Sequence, residues 1–435
     1  MRWQWAGKTH AASPKAFSKL LNGKYSAIGW IAPLVALILT FYYSVIIGRS
    51  INYAGFSFNL AWGSDPGSFF YDSYLHMTDG PLEFGTVSLE ILAASAIVWI
   101  LIFISLSKGV KSIEKALYLT VIAPWILIGF FVIRGITLPG AMDGLAYYLT
   151  PNLSILLDPE VWIAAYAQIL ASVSVALGIL IAYSKSLGES EDIVKSSVYV
   201  ASFNCLTSIV AGIAVFSTLG YLAHIEGVPV TEVVKGGIEL VFITYPAVIG
   251  QMPLIPEIFG ILFFLMIVML GIDSAFSLVE STACAIQDYV NIPQIVTTGI
   301  VCIAGFLGSV LFATGAGIYW LEIVDVALWY YLVILVALLE AFAVGYVYGP
   351  EKLRNYFNLT SEWKTGQWWD ILIKYITPGI IGVLLIYYVI NGLFISGNGD
   401  GIIPFTAKWI IVIGILIGAL VLGHFFSSQD SEPEN

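Results

Sequence analysis

Charge is scarce in this chain of 435 residues: only 11% are Asp, Glu, Lys or Arg, whereas a soluble domain carries about 25%. That shortage excludes an ordinary water-facing surface. Cysteine and histidine are equally sparse, at 3 and 4 residues. No disulfide scaffold follows from so few cysteines, and His10, His76, His224 and His424 lie too far apart in sequence for transition-metal spacing. A phosphate-binding glycine loop is missing, as is a basic groove for nucleic acid, so an enzyme or a nucleic-acid binder has little to stand on.

Apolar residues, by contrast, make up 59% of the chain. Uninterrupted stretches of about 20 such residues, each long enough to cross a bilayer, predict helices near 27–48, 88–107, 117–137, 161–184, 196–222, 256–287, 293–313, 318–348, 371–393 and 404–427. The fold class expected is therefore an all-α integral membrane protein with ten crossings, the lipid bilayer being its first partner. Lys and Arg placement orients it. Arg2, Lys8, Lys15, Lys19, Lys24, Lys108, Lys111, Lys115, Lys185, Lys195, Lys352, Arg354 and Lys364 share one side, against Arg49 and Lys235 on the other. Both termini are expected in the cytoplasm, with 1–26 as a polar segment that is not a signal peptide, 27–427 as one membrane domain and 428–435 as a tail. Cys205, Cys284 and Cys302 fall in predicted spans and are expected as free thiols packed like small hydrophobes.

Two outer loops are long. The second, 223–255, contains GGIELVFITYPAVIGQMP, too apolar for solvent and expected to fold back on the membrane domain.

Polar residues inside the predicted spans carry the chemistry. In LGIDSAFSLVE, residues 270–280, Asp273 lies where a carboxylate costs roughly 2.5–3.5 kcal/mol on insertion scales. A bound cation, a proton or a basic side chain must offset it. Asp273 and Ser274 follow Leu270 by three and four residues, so two side chains and the Leu270 carbonyl can face one point, an oxygen set suited to a hard cation such as Na⁺. Gln168 and Ser172 are spaced by one helical turn, as are Asn204 and Ser208. Each pair can equally serve as interhelical hydrogen-bond glue, worth about 0.6 kcal/mol per contact. Glu280 shares the Asp273 face and reads as a second, protonated acid; Glu340 reads as a packing residue, and Glu322, Asp325 and Asp288 sit near helix ends.

The segments WIAAYAQILASVSVALG, SFNCLTSIVAGIAVFSTLGYLA, ELVFITYPAVIGQMP, LGIDSAFSLVE and ATGAGIYWLEIVD, in that order, resemble the neurotransmitter:sodium symporter family over nearly the whole chain. The resemblance implies a LeuT-like inverted-repeat fold of twelve helices, with ions and substrate at the midplane between two broken helices. FYYSVIIG resembles the end of the family's third helix, so the ten spans correspond to helices 3–12, and the first two, which hold about half of the family's ligands, are not represented.

By that resemblance, sodium is held by Ser172, Asn204, Leu270, Asp273 and Ser274, and no transition metal is implied. Chloride, the second ion, is held by Gln168, Ser172, Asn204 and Ser208, with Ser208 standing where chloride-independent members have a glutamate. Leu39, Tyr43, Ala171, Ser172, Ser174, Leu177, Ser274 and Leu278 surround a small-molecule substrate, an amino acid or related amine. Asp325 matches the outer gate acid and Asp288 the inner one. Two departures stand out: Ala171 and Leu177 replace residues that are often aromatic, and the break SVSVALG has a single glycine, Gly178, which leaves its unwinding less assured by sequence. The implied function is sodium- and chloride-coupled symport by alternating access at the plasma membrane, once complemented by the first two helices. The rival readings are a non-transporting remnant, one subunit of a split transporter, or a substrate-gated channel.

Overall fold

The structure, a computed structural model, describes residues 11–20, 26–107, 110–184, 191–395 and 402–427. The tail 428–435 and the basic residues Arg2, Lys8, Lys24, Lys108 and Lys185 lie outside the described residues. Helix dominates, and the β-structure among the described residues is one isolated bridge, Val87 to Thr314. Backbone groups in hydrocarbon must be satisfied within their own segment, which is why apolar sequence of this length becomes helix.

Fifteen helices carry the architecture. A short α1 (Ser13–Leu20) precedes α2 (Ser26–Phe56), α3 (Leu89–Ser107), α4 (Val110–Ile136), α5 (Ala141–Leu149), α6 (Pro159–Ser172), α7 (Ile179–Ser184) and α8 (Ile193–Glu226). Then come α9 (Gly237–Gly250), α10 (Pro256–Gln287), α11 (Gln294–Ala313), α12 (Gly317–Tyr348), α13 (Pro350–Thr360), α14 (Gln367–Leu393) and α15 (Ile402–Ser427). Among the described residues, eight helices are long and apolar enough to span a bilayer, and nine when the bent pair Thr120–Ile136 with Ala141–Leu157, at 114°, is taken as one span. The expected 161–184 span is broken between α6 and α7.

The core runs along α2. Its long contact with α10 is allowed by close approaches: a Cβ on Gly271 would lie 2.6 Å from the Ile47 side chain, and one on Gly48 would lie 2.9 Å from the Ser95 nitrogen of α3. Small residues at such crossings let helices pack where lipid offers no hydrophobic drive. Ser44, Ser95 and Ser309 join α2, α3 and α11 through buried hydroxyls at 3.0–3.3 Å, and the Trp99 indole donates to Ser309 at 3.0 Å.

Three expectations change. Helix α2 runs to Phe56, two turns past the predicted limit, because INYAGF still packs: Tyr53 is fully buried. Arg49 is therefore no loop residue but a fully buried member of α2. Cys284 and Cys302 are buried free thiols, whereas Cys205 is exposed on α8. The apolar stretch in the second long loop forms α9 and buries Phe242, Tyr245, Val248 and Ile249. Tyr221 of α8 fixes its exit by donating to the Gln251 carbonyl at 2.5 Å.

Residues 11–20, expected only as a polar segment, dock. Ala12, Ala16 and Phe17 are buried, and Phe17 joins Ile181 of α7, Leu353 and Phe357 in one apolar cluster.

Candidate functional site

The break between α6 and α7 organises the site. Asp158 caps α6 by accepting from the Glu160 nitrogen at 2.9 Å, and Pro159 suits the first turn, where its missing N–H is no loss. Helix then stops at Ser172, and Val173–Gly178 is irregular, with left-handed backbone at Ser174 (φ 52°), Ala176 (φ 69°) and Gly178 (φ 72°). The lone glycine thus does not prevent unwinding. Two non-glycine residues take strained conformations that cost roughly 1–2 kcal/mol each, which are held by surrounding contacts. Ser281 of α10 donates to the Leu177 carbonyl at 2.8 Å, and its hydroxyl would be 2.6 Å from any Cβ on Gly178.

Beside the break lies a cavity of about 400 Å³ whose lining includes Leu39, Tyr43, Ala171, Ser172, Ser174, Leu177, Asn204, Asp273, Ser274 and Leu278. Every substrate residue expected from sequence lines this one space. Ser172 and Asn204 form a close pair, with Oγ to Oδ1 at 3.0 Å and Nδ2 to Oγ at 2.7 Å. Tyr43 and Ser274 line the same space, and Ser274 Oγ donates to the Leu270 carbonyl at 3.3 Å. That last bond brings two of the expected sodium oxygens to one point, although the Leu270 side chain is exposed and outside the cavity lining. The Asp273 carboxylate accepts from Thr120 of α4 at 3.5 Å. Oxygens of carbonyl, hydroxyl, amide and carboxylate type are what a sodium ion requires at an unwound helix.

Other expected residues are placed elsewhere. Gln168 is exposed and lines a neighbouring cavity of about 350 Å³ with Asp325, Trp329 and Tyr388. Ser208 turns its hydroxyl back to the Asn204 carbonyl at 3.0 Å and is exposed. So the four expected chloride residues are split: the side chains of Ser172 and Asn204 bond to each other, Ser208 reaches only the Asn204 main chain, and Gln168 lines the neighbouring cavity. Asp325 accepts from the Tyr42 hydroxyl at 2.7 Å and lines the neighbouring cavity with Trp329. Asp288 lies on the opposite side of the molecule, accepting from the Ala12 amide at 2.5 Å, while Lys15 donates to its carbonyl at 3.3 Å. Glu280 accepts from the Cys284 thiol at 3.3 Å.

Four neighbours of the expected site residues escaped the sequence reading. Thr120, Tyr183, Ser277 and Trp329 carry no motif; they are found only once the helices are packed. Tyr183 and Ser277 bond at 2.8 Å in the cavity wall. A third cavity, about 760 Å³, opens above Asp325 and is lined by Glu239, Glu322, Tyr71 and Tyr319 among others. There Tyr71 donates to Glu239 at 2.8 Å, and burial, with the Glu239 carboxylate next, pushes the Tyr71 phenol up to about 12.

Known proteins resemble this chain closely. It is 36% identical over 392 residues to an uncharacterized sodium-dependent transporter of Methanocaldococcus jannaschii, a match covering 90% of this chain and 79% of that protein. It is 35% identical over 341 residues to the sodium- and chloride-dependent glycine transporter 1 of Xenopus laevis, and 33% over 342 residues to the sodium- and chloride-dependent neutral and basic amino acid transporter B(0+) of Mus musculus. Those two matches cover 77% and 76% of this chain, which spans 53% of the length of each. The model of the sodium:neurotransmitter symporter family matches residues 62–424. With its apolar helices and a family match over most of its length, the chain is a multi-pass membrane protein of a transporter family, not an enzyme, and it belongs to the sodium:neurotransmitter symporter family.

Proposed function

We propose that this chain carries the ion and substrate centre of a sodium-coupled symporter for an amino acid or related small amine, working by alternating access at the plasma membrane. One observation carries the reading: a single cavity beside the broken α6–α7 helix gathers Ser172, Asn204, Asp273 and Ser274 with the apolar residues Leu39, Leu177 and Leu278. The polar group set suits sodium and the ends of an amino acid, while the apolar wall suits its side chain. Ala171 in place of a bulkier lid residue widens the space for an apolar substrate. Sodium entering down a potential of 100 mV releases about 2.3 kcal/mol per charge moved, and that energy is available to concentrate substrate.

Chloride is proposed at Ser172 and Asn204, with Ser208 and Gln168 recruited as α6 and α8 shift. The glycine and amino-acid transporters among the relatives are named for chloride dependence, which supports this part. Asp325 and Asp288 are the acids of the outer and inner closures, and both termini face the cytoplasm.

Reconstitution of the full chain in liposomes tests the proposal. Uptake or binding of a neutral amino acid should require a sodium gradient and respond to its size. Binding that ignores sodium would overturn the coupling, and no binding at all would favour the non-transporting reading.

A further inference from the structure

Arg49 has no role in the centre just described, and its surroundings are unusual. Its side chain is fully buried. Nη2 donates to the Phe312 carbonyl at 3.1 Å, one of the terminal carbonyls of α11, so one nitrogen caps a helix end. Nε and Nη1 have no acceptor among the described residues. No salt bridge from a carboxylate to Arg49 forms among the described residues, unlike those of Lys195, Lys235 and Arg354.

Nearby hydroxyls can donate as well. The Tyr53 hydroxyl, one turn along α2, is buried without a partner. The Tyr74 hydroxyl accepts from the Asn52 amide at 2.9 Å, which leaves its own proton to donate. The two rings meet edge to face at 5.5 Å, with Tyr53 one turn from Arg49 on α2. A buried charge is costly unless paired, and an unpaired buried polar group in a native protein calls for an explanation, of which a bound water or ion is one. Here the unmet groups are donors and the net charge is positive.

We propose that Arg49, Tyr53 and Tyr74 form a buried binding site for a small inorganic anion, chloride under physiological salt. A monoatomic anion accepts from several directions at once and fits a site whose arginine has no exposed surface; an organic carboxylate would need an opening that Arg49 does not have. This site lies outside the lining of the cavity formed by Ser172 and Asn204, and it does not depend on the symport reading. Its anion is structural, clamping the Phe56 end of α2 to the end of α11.

The test uses the full chain. Crystals grown in sodium bromide should show an anomalous peak in contact with the Arg49 guanidinium. In parallel, thermal unfolding in sodium chloride should move to higher temperature with concentration, relative to sodium gluconate at the same ionic strength. Arg49→Gln should lose that part of the chloride-dependent shift which Ser208→Glu leaves intact, and Arg49→Lys should retain some of it. Bromide density absent at Arg49, with water in its place, would overturn the site. So would a folded Arg49→Gln protein whose chloride response in the Ser208→Glu background is unchanged. If Arg49→Gln does not fold, the bromide map of the unmodified chain decides alone.

Discussion

The Phe56 end of α2 and the break between α6 and α7 are built on opposite principles. At the first, Tyr53 meets seven aromatic rings at centroid distances of 5.0–6.4 Å, from Phe56, Trp62, Phe69, Phe70, Tyr74, Phe242 and Phe264. Side chains there hold an ordinary helix rigid. At the second, the backbone itself is irregular, with three left-handed residues and few rings, and it is steadied by single hydrogen bonds such as Ser281 to Leu177. Packing spread over many contacts resists movement, whereas a strained segment held by a few bonds can exchange one arrangement for another. The difference separates a scaffold from a moving part within one membrane domain.

Five substitutions would break or sharpen that contrast. Tyr53→Ala should be the most damaging to stability, by about 3–5 kcal/mol as for other large aromatic truncations, measured as denaturant or thermal unfolding in detergent. A loss under 1 kcal/mol would mean that the ring cluster is not the scaffold. Gly178→Ala comes next, at about 1–3 kcal/mol, because the new Cβ meets both a left-handed φ and the Ser281 hydroxyl. The opposite change, Ala176→Gly, should relieve strain and stabilise by up to about 1 kcal/mol; equal effects from the two would show that the break is not strained.

Asp273→Asn addresses function rather than folding. Removal of a carboxylate that faces sodium should raise the sodium concentration for half-maximal binding or uptake by about tenfold or more, which is about 1.4 kcal/mol. If Asp273 served only as the acceptor for Thr120, Asn would keep that bond and the titration would overlay the unmodified one.

The smallest effect is expected at Tyr71, outside the spans. Its phenol titrates near 12 when folded and at 10.0 in the ordinary case, so the folded state favours the neutral form. The stability linked to it is full below pH 10 and is lost as pH rises from 10 towards 12. Tyr71→Phe should remove that alkaline decline in an unfolding-versus-pH series, and an unchanged decline would assign it to another group.

Much of the contrast was legible in the residues. Apolar runs located the long helices; the one-turn pairs Gln168/Ser172 and Asn204/Ser208, and Asp273 and Ser274 one turn after Leu270, included four polar residues that line one cavity, Ser172, Asn204, Asp273 and Ser274. The chain resisted reading where partners come from distant segments. Nothing around Thr120 indicates that it faces Asp273, and nothing in FYYS shows that Tyr42 turns to Asp325 while Tyr43 turns to the cavity. Arg49 was misread because a charged residue after an apolar run normally marks a helix end; the rings around Tyr53 carry α2 onward instead. The chloride residues show a further limit, since spacing aligns side chains along one helix but does not set the distance between helices.

The contact between Ala12 and Asp288 has a consequence for mutagenesis. The Asp288 carboxylate accepts from the main-chain amide of Ala12, so an alanine scan of residues 11–20 would pass over position 12 without registering that bond. Exchange for serine or glycine keeps the donor and should be silent. Only proline, which deletes the N–H, or a change at Asp288 itself would reveal the bond, and a tolerant position there would say nothing against its importance.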